Sequence, residues 1–215
     1  MGMSVSAKQA KSASSDMVKD LNSKFGKEGL EAEVRNKTGG SRKYAYVYVE
    51  TPPEIWNKVA KWMLWKKGVD HCSMITGIHW PEKENHWQVV VHLMRMGVKN
   101  PKGEPIIVDT SNLVTSQVPV EIEVNMSLPA GREPSVPSVA DVWVGADWNE
   151  KETWDLLGID FEGHEGMRRV LLPHDTPTGY HPLQKQHKLR YHDFNEMYDD
   201  PQGFGRKPAD IGRQK

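Results

Sequence analysis

Hydrophobic periodicity in this chain stops at Gly158, and everything from Ile159 to Lys215 is irregular and rich in Pro, Gly, His and charge. Apolar spacing tells a chain which face to bury, so the residues before Gly158 must supply the core. A segment that long without a pattern of its own is improbable inside a compact domain. The tail is therefore expected to be disordered, or to become ordered by lying on another protein as segments that fold on binding do. Four parts are predicted: a frayed start over 1–14, a domain over 15–128, a Pro-rich connector and last helix over 129–158, and an extended partner-binding tail over 159–215.

Within the patterned part, two periods alternate. Met17, Leu21 and Phe25 recur every fourth residue, a weak helix closed by Gly26. Leu30, Ala32 and Val34 then alternate with charged residues, and Tyr44, Tyr46 and Tyr48 alternate with Ala45, Val47 and Val49. The Thr38–Ser41 turn between them predicts a hairpin whose first strand lies at an edge. Thr51, Pro52 and Glu54 spell a capping box with proline at the first helical position. Ile55, Val59, Trp62 and Met63 line that helix, Lys66 and Lys67 suit the negative end of its dipole, and Gly68 stops it. Strands are expected at His71–Trp80 and Trp87–Met94, with a short one at Ile106–Val108. Val118, Val120, Ile122 and Val124 mark another, placed at an edge because Pro119 lacks an N–H. Ser138, with Asp141 in capping-box position, opens the last helix. The fold class is α+β: a mostly antiparallel sheet with helices packed on one face, then a long irregular C-terminal tail.

Composition narrows the functions such a fold can carry. With 28 Lys+Arg against 29 Asp+Glu in 215 residues, the net charge of -1 gives no general attraction to nucleic acid. Cys72 is the single cysteine, which excludes an internal disulfide and a four-thiolate zinc or iron–sulfur site. In a strand-like run it reads as a small buried hydrophobe. No stretch is apolar enough to cross a bilayer and the start lacks a signal-peptide core, so a soluble, intracellular chain is expected, with any membrane link borrowed from a partner. Eight tryptophans, each an apolar body with one polar N–H, suit a small core beside a protein-facing surface.

Few residues carry a chemical signal of their own. His164 follows a turn without companions at metal-ligand spacing and reads as a hydrogen-bonding histidine. His174, His181, His187 and His192 lie among Lys185, Lys188 and Arg190, a cationic stretch suited to an acidic protein surface or a headgroup layer, or simply solvated. Asp147, Glu150, Glu152 and Asp155 fall on several faces of one helix with no nucleophile nearby, which favours solvation and an interface salt bridge over acid–base catalysis. Arg168 and Arg169, among Met167, Val170, Leu171 and Leu172, serve equally well as interface anchors or as internal partners. Gly158, Gly163 and Gly166 follow a helix instead of joining a strand to one, so dinucleotide binding has no basis.

The run from Ala146 to Ile159, then Phe161-Glu162-Gly163-His164 and Arg168-Arg169-Val170-Leu171-Leu172-Pro173, resembles the signature of the C-subunit family of respiratory complex I and its relatives. That resemblance implies a non-catalytic structural or assembly subunit with no cofactor of its own, on the cytoplasmic side of the membrane in the peripheral arm of a redox-driven, ion-translocating oxidoreductase. It would brace a large hydrogenase-like subunit and iron–sulfur subunits, which hold the clusters. The implied partner-binding residues are Glu150, Glu152 and Asp155 on the helix, Phe161, His164, Arg168 and Arg169 beyond it, and Leu183 and Lys185 further on. Two departures from the family pattern are Lys151 in place of an arginine and Gln184-Lys185-Gln186-His187 in place of Arg-Lys-Asp-Tyr. They point toward an energy-converting membrane-bound hydrogenase or a sulfur-reducing relative of complex I. Two competing expectations are a free-standing metal-dependent enzyme using the His-rich tail, and a small RNA-binding module stacking bases on Tyr44, Tyr46 and Tyr48.

Overall fold

The computed structural model describes residues 7–39, 42–81, 86–96, 117–131, 134–185 and 187. Two compact units divide the chain, residues 1–185 and 186–215, and the first holds the elements described below. The strand expected at Ile106–Val108 lies outside the described residues.

Helix α1 spans Ala7–Phe25, strands β1 and β2 span Glu31–Gly39 and Arg42–Glu50, and helix α2 spans Trp56–Lys67. Strands β3 (His71–Trp80), β4 (His86–Arg95) and β5 (Val120–Leu128) follow. The short strand β6 (Ser135–Pro137), helix α3 (Val144–Leu157) and the short strand β7 (Asp160–Glu162) complete the order. Among the described residues, five strands form one sheet in the order β1-β2-β5-β4-β3, antiparallel except for the β2–β5 pair, and β6 and β7 form a separate parallel pair. The α+β class and its mostly antiparallel sheet are as the alternation predicts.

Alternation sets the core, with Val90 buried on the other face of β4. Val89, Val91 and Leu93 of β4 lie in register with Met126, Val124 and Ile122 of β5, and all six are buried on one face with Val47 and Val49 of β2. Met17, Leu21 and Phe25 of α1 and Val59, Ala60 and Met63 of α2 join the same cluster. The opposite face mixes apolar residues with a polar chain that satisfies itself: Trp80 donates to Gln88 (3.3 Å), Gln88 to Asn125 (2.7 Å) and Asn125 to Glu123 (3.1 Å), spanning three strands. The outer edge of β1 is guarded at Ala32, whose N–H and C=O both pair with the side-chain amide of Asn22 at 2.8 Å, much as a neighbouring strand would.

Several local readings change in three dimensions. The first helix is longer than its apolar spacing suggests, because Ala13 and Ser14 are buried in the sheet-facing stripe. β5 is central, not an edge, since Pro119 precedes its first paired residue, Val120, and withholds no ladder hydrogen bond. No capping box forms at Thr51, which is buried with its N–H donating to the carbonyl of Asn125 (3.1 Å); a single 3₁₀ turn at Pro53–Ile55 leads into α2 instead. Gly68 does stop α2, with φ 66° and its N–H returned to Leu64. The last helix starts at Val144, six residues beyond Ser138, because the chain first turns at Val139–Trp143 to seat Trp143 against Trp56 and the Val69 carbonyl.

Helix α3 lies along β3, where Thr153 donates to the Ile75 carbonyl (3.0 Å). Gly77 makes the close approach possible: a Cβ there would overlap Ile159 Cδ1 and stand 2.9 Å from Leu157 Cδ1. Valine is favoured at an open strand position, so the sign of its effect reports on this packing. Gly77→Val is expected to destabilise the fold by about 2 kcal/mol, as overpacking of a tight core does, measured by urea denaturation. An unchanged or raised midpoint would show that α3 does not press on β3.

Candidate functional site

The segment after α3 is irregular, yet Ile159–Lys185 belongs to the first compact unit and lies on its own subunit. The last turn of α3 explains why. A helix ends with four carbonyls lacking partners, and here four groups from beyond the helix take them. Gly158, at φ 78°, returns its N–H to Trp154 (2.8 Å). His181 Nδ1 lies 2.9 Å from the Asp155 carbonyl, an acceptor, so this nitrogen carries the proton. The Leu183 N–H donates to Leu156 (3.0 Å) and the Gln184 side-chain amide to Leu157 (2.8 Å). One residue further, the Lys185 N–H donates to His79 Nδ1 (3.1 Å), whose ring stacks on Trp87 at 3.9 Å. These contacts seat a strap over residues 159–185.

The near limb of the strap is organised by Asp155, whose side chain is fully buried. Its Oδ2 accepts the consecutive N–H groups of Val170, Leu171 and Leu172 at 3.0, 2.9 and 2.9 Å, a nest of amides around one anionic oxygen. Its Oδ1 accepts from Arg169 Nη1 at 2.7 Å. Burial by itself would raise this carboxyl, but the three amides and the guanidinium outweigh it and hold Asp155 below the ordinary carboxylate range. Arg169 also donates to the carbonyls of Pro177 (3.1 Å) and Tyr180 (3.2 Å) and sits over the Trp154 ring, so it ties both limbs together.

Glu150, equally buried, does the same for the approach to the helix. It accepts from Ser138 Oγ (2.6 Å) and from the Val139 N–H (2.8 Å), and burial pushes its carboxyl upward. Ser138 is therefore a partner of the second turn of α3. Phe161 is buried on β7 beside Val136. His164 accepts the Gly166 N–H through Nδ1 (3.1 Å), and its Nε2 lies 3.1 Å from Asp147 Oδ1, off the hydrogen-bond axis; Lys151 Nζ holds both oxygens of Asp147 (2.8 and 2.7 Å). Glu152, Arg168, Leu183 and Lys185 are exposed.

The nine residues picked out by sequence thus spread along α3 and its strap: Glu150 supports the approach to the helix, His164 lies by its first turn, Asp155 and Arg169 support its last turn, and Glu152, Arg168, Leu183 and Lys185 are at the surface. Gln184, His181, Trp154 and Ser138 complete the arrangement without any local pattern to announce them. Both departures from the family pattern that fall here, Lys151 and Gln184, are buried, Lys151 paired with Asp147 on its own helix and Gln184 bonded to the Leu157 carbonyl. Among the described residues no group of His, Cys, Asp and Glu is arranged to hold a metal. Burial, with the Glu150 charge nearby, pushes the Cys72 thiol up to about 12, as suits an inert buried side chain. The tyrosine face is engaged within the sheet, with Arg35 over the Tyr48 ring at 3.2 Å and Lys37 5.3 Å from that of Tyr46.

A carboxylate held below its unfolded value contributes stability that is fully present above that value, near 3.9 for Asp, and lost as the pH falls through the folded one. Asp155→Asn keeps the shape but strands the amides and Arg169. It is expected to cost about 3 kcal/mol at neutral pH, as breaking a buried charge pair does. In chemical denaturation the gap between wild type and variant should hold down to about pH 4 and narrow below it. A gap that stays constant to strongly acid pH would rule out an ionised Asp155 in the folded state.

The family model described as "Respiratory-chain NADH dehydrogenase, 30 Kd subunit" matches residues 49–193 of the chain, which include α2, β3–β7, α3 and the strap. A protein of Gluconacetobacter diazotrophicus, named as the joint C/D subunit of NADH-quinone oxidoreductase, is 52% identical over 69 residues, 32% of this chain and 11% of that one. The C subunit of the same enzyme from Agrobacterium fabrum is 34% identical over 113 residues, 52% of this chain and 44% of its own. The chain thus spans less than half the length of these curated relatives. In fold, a chain from the structure of the archaeal membrane-bound sulfane sulfur reductase superposes with a TM-score of 0.56 at 18% identity, over 90% of this chain and 94% of that one. No helix among the described residues is long and apolar enough to cross a membrane. The match over residues 49–193 shows that this chain belongs to the 30 Kd subunit family of respiratory-chain NADH dehydrogenase.

Proposed function

We propose that the chain is a non-catalytic structural subunit in the peripheral arm of a complex I-like, membrane-bound, redox-driven ion-translocating oxidoreductase. It would brace the large hydrogenase-like subunit and the iron–sulfur subunits on the cytoplasmic side. It holds no cofactor itself, and the iron–sulfur clusters belong to those partners. The observation that carries this reading is the family match across α3 and the strap, whose buried polar groups are spent on holding the strap to the helix. A strap fixed at both limbs while Leu171, Tyr180 and Leu183 stay 57, 41 and 49% exposed is suited to carry a neighbour.

The joint C/D name of the Gluconacetobacter relative supports direct contact with a subunit of the D kind, since covalent linkage favours partners that already meet. The sequence relatives bear NADH-quinone oxidoreductase names, and the fold neighbour is a sulfur reductase chain. Both kinds of assembly fit a brace, and subunit inventory distinguishes them.

A tagged chain should be recovered from mild-detergent-solubilised native membranes, with mass spectrometry and an iron assay on the eluate. Iron–sulfur and membrane-arm subunits are expected to co-purify, and NADH oxidation with a flavin subunit would mark the NADH-quinone oxidoreductase kind. A lone, iron-free chain would refute the brace.

A further inference from the structure

The apolar row of β4 ends in a charge. Val89, Val91 and Leu93 are buried in the core, and the alternation that sends them there brings Arg95 to the same face at the end of the strand. Arg95 is 6% exposed, and its Nε donates to the Val118 carbonyl at 3.0 Å. Burial disfavours the charged form and lowers this guanidinium from its ordinary value, whereas an anion held nearby acts in the other direction.

Arg95 lines a cavity of about 390 Å³ together with residues of α1 and the last turn of α2. Three lysines join it there, Lys19 from α1 and Lys66 and Lys67 from α2, and Asp16 and Asp20 oppose them. Asp20 is engaged by Lys67, which reaches it from the other helix and also lies 5.2 Å from the Trp62 ring. Lys19 and Lys66 are exposed and make no hydrogen bond or ion pair among the described residues. Four cations thus face two carboxylates, and the C-terminal dipole of α2 offsets only about half a charge of that excess. Ala13 and Met17, both buried, supply an apolar wall, and among the described residues no aromatic side chain lines the cavity.

We propose that this cavity, between α1, the end of α2 and the end of β4, binds the phosphate group of a small soluble ester whose body is not aromatic. It shares no residue with α3 or the strap and is independent of the bracing role. Arginine engages phosphate oxygens in pairs through its planar fork, and lysines bring point charge to the rest on flexible stems. The volume falls within the range of small-ligand pockets, about 300–1,000 Å³, which leaves room for an organic body against Ala13 and Met17. A nucleotide fits less well, since its base would find no ring to stack on.

The test titrates the full-length chain with inorganic phosphate, glycerol 3-phosphate and adenosine monophosphate while backbone amide shifts are followed by NMR. Glycerol 3-phosphate should give saturable shifts centred on Lys19, Lys66 and Arg95, bind more tightly than inorganic phosphate, and weaken as salt rises. Lys19→Gln and Lys66→Gln should each weaken it about threefold, the scale of an exposed charge contact, and the double variant about tenfold. Arg95→Gln should weaken it about tenfold or more, with Arg95→Lys restoring part, urea midpoints serving as the folding control. Arg35→Gln, on the opposite face of the sheet, should leave binding unchanged. Shifts that do not saturate, or that the double lysine variant leaves unaltered, overturn the site, and because both lysines are exposed this holds even if Arg95→Gln fails to fold. Tighter binding of adenosine monophosphate than of glycerol 3-phosphate overturns the non-aromatic body. Binding to phosphatidylglycerol vesicles that depends on Lys19 and Lys66, with none of the soluble ester, overturns the soluble ligand in favour of a lipid headgroup.

Discussion

The strap depends on the carboxylate of Asp155. Moving an ionised carboxyl from water into a protein interior costs several kcal/mol even after relaxation, and the cost is offset only when geometry and hydrogen bonding are both good. Asp155 meets that condition with three consecutive amides on one oxygen and a guanidinium on the other. Each residue of Arg169–Leu172 that leaves takes one of four donors from a buried charge, so this limb is held as a unit. The peptide carbonyl of the same residue receives His181 from the far limb. One residue of α3 thus fixes both ends of a segment that has no regular secondary structure across Met167–Lys185.

Elsewhere the fold follows the same economy of placing polar groups where a backbone end would be left open. Asn22 occupies the outer edge of β1 at Ala32, and Thr153 reaches the Ile75 carbonyl on β3. Glu150 takes the turn that leads into α3. Because α3 lies along β3 and is tied at its start by Trp143 to Val69, its position is set by the sheet. The site inherits that rigidity: the sheet holds the helix, the helix holds Asp155, and Asp155 holds the loop.

How much of this could be read beforehand depends on the range over which each signal acts. Val89, Val91 and Leu93 alternate with Gln88, Val90 and His92 because a strand has two faces, and two residues of context suffice to see it. Gly68 and Gly158 are legible for a similar reason, since a left-handed helix stop is a local requirement. The errors arise where a local signal is decided by distant contacts. Pro119 suggests an edge but lies one residue outside the ladder, and Thr51 looks like a cap but is needed by Asn125. Ser138 has the chemistry of an N-cap and uses it on Glu150, twelve residues away. His181 and Gln184 reach carbonyls 26 and 27 residues earlier, a pairing no periodicity encodes. That is why the strap reads as structureless in sequence while its residues are attached in space.

The acidic helix also shows why residue type alone does not assign a role. Asp147, Glu150, Glu152 and Asp155 look alike in sequence, yet Glu150 and Asp155 are buried supports and Glu152 is exposed. The same division separates Arg169 from Arg168. Under the proposed bracing role this arrangement would have a thermodynamic consequence. A segment that folds only on its partner must lose its conformational freedom at that moment, at about 1–2 kcal/mol per backbone residue. A strap already seated on its own helix has met that cost during folding, so more of any contact made through an exposed side chain such as Leu171 would be left as affinity. Buried charge inside the chain would thereby act as specificity at its surface, because the exposed side chains rise from backbone that Asp155 holds in one geometry.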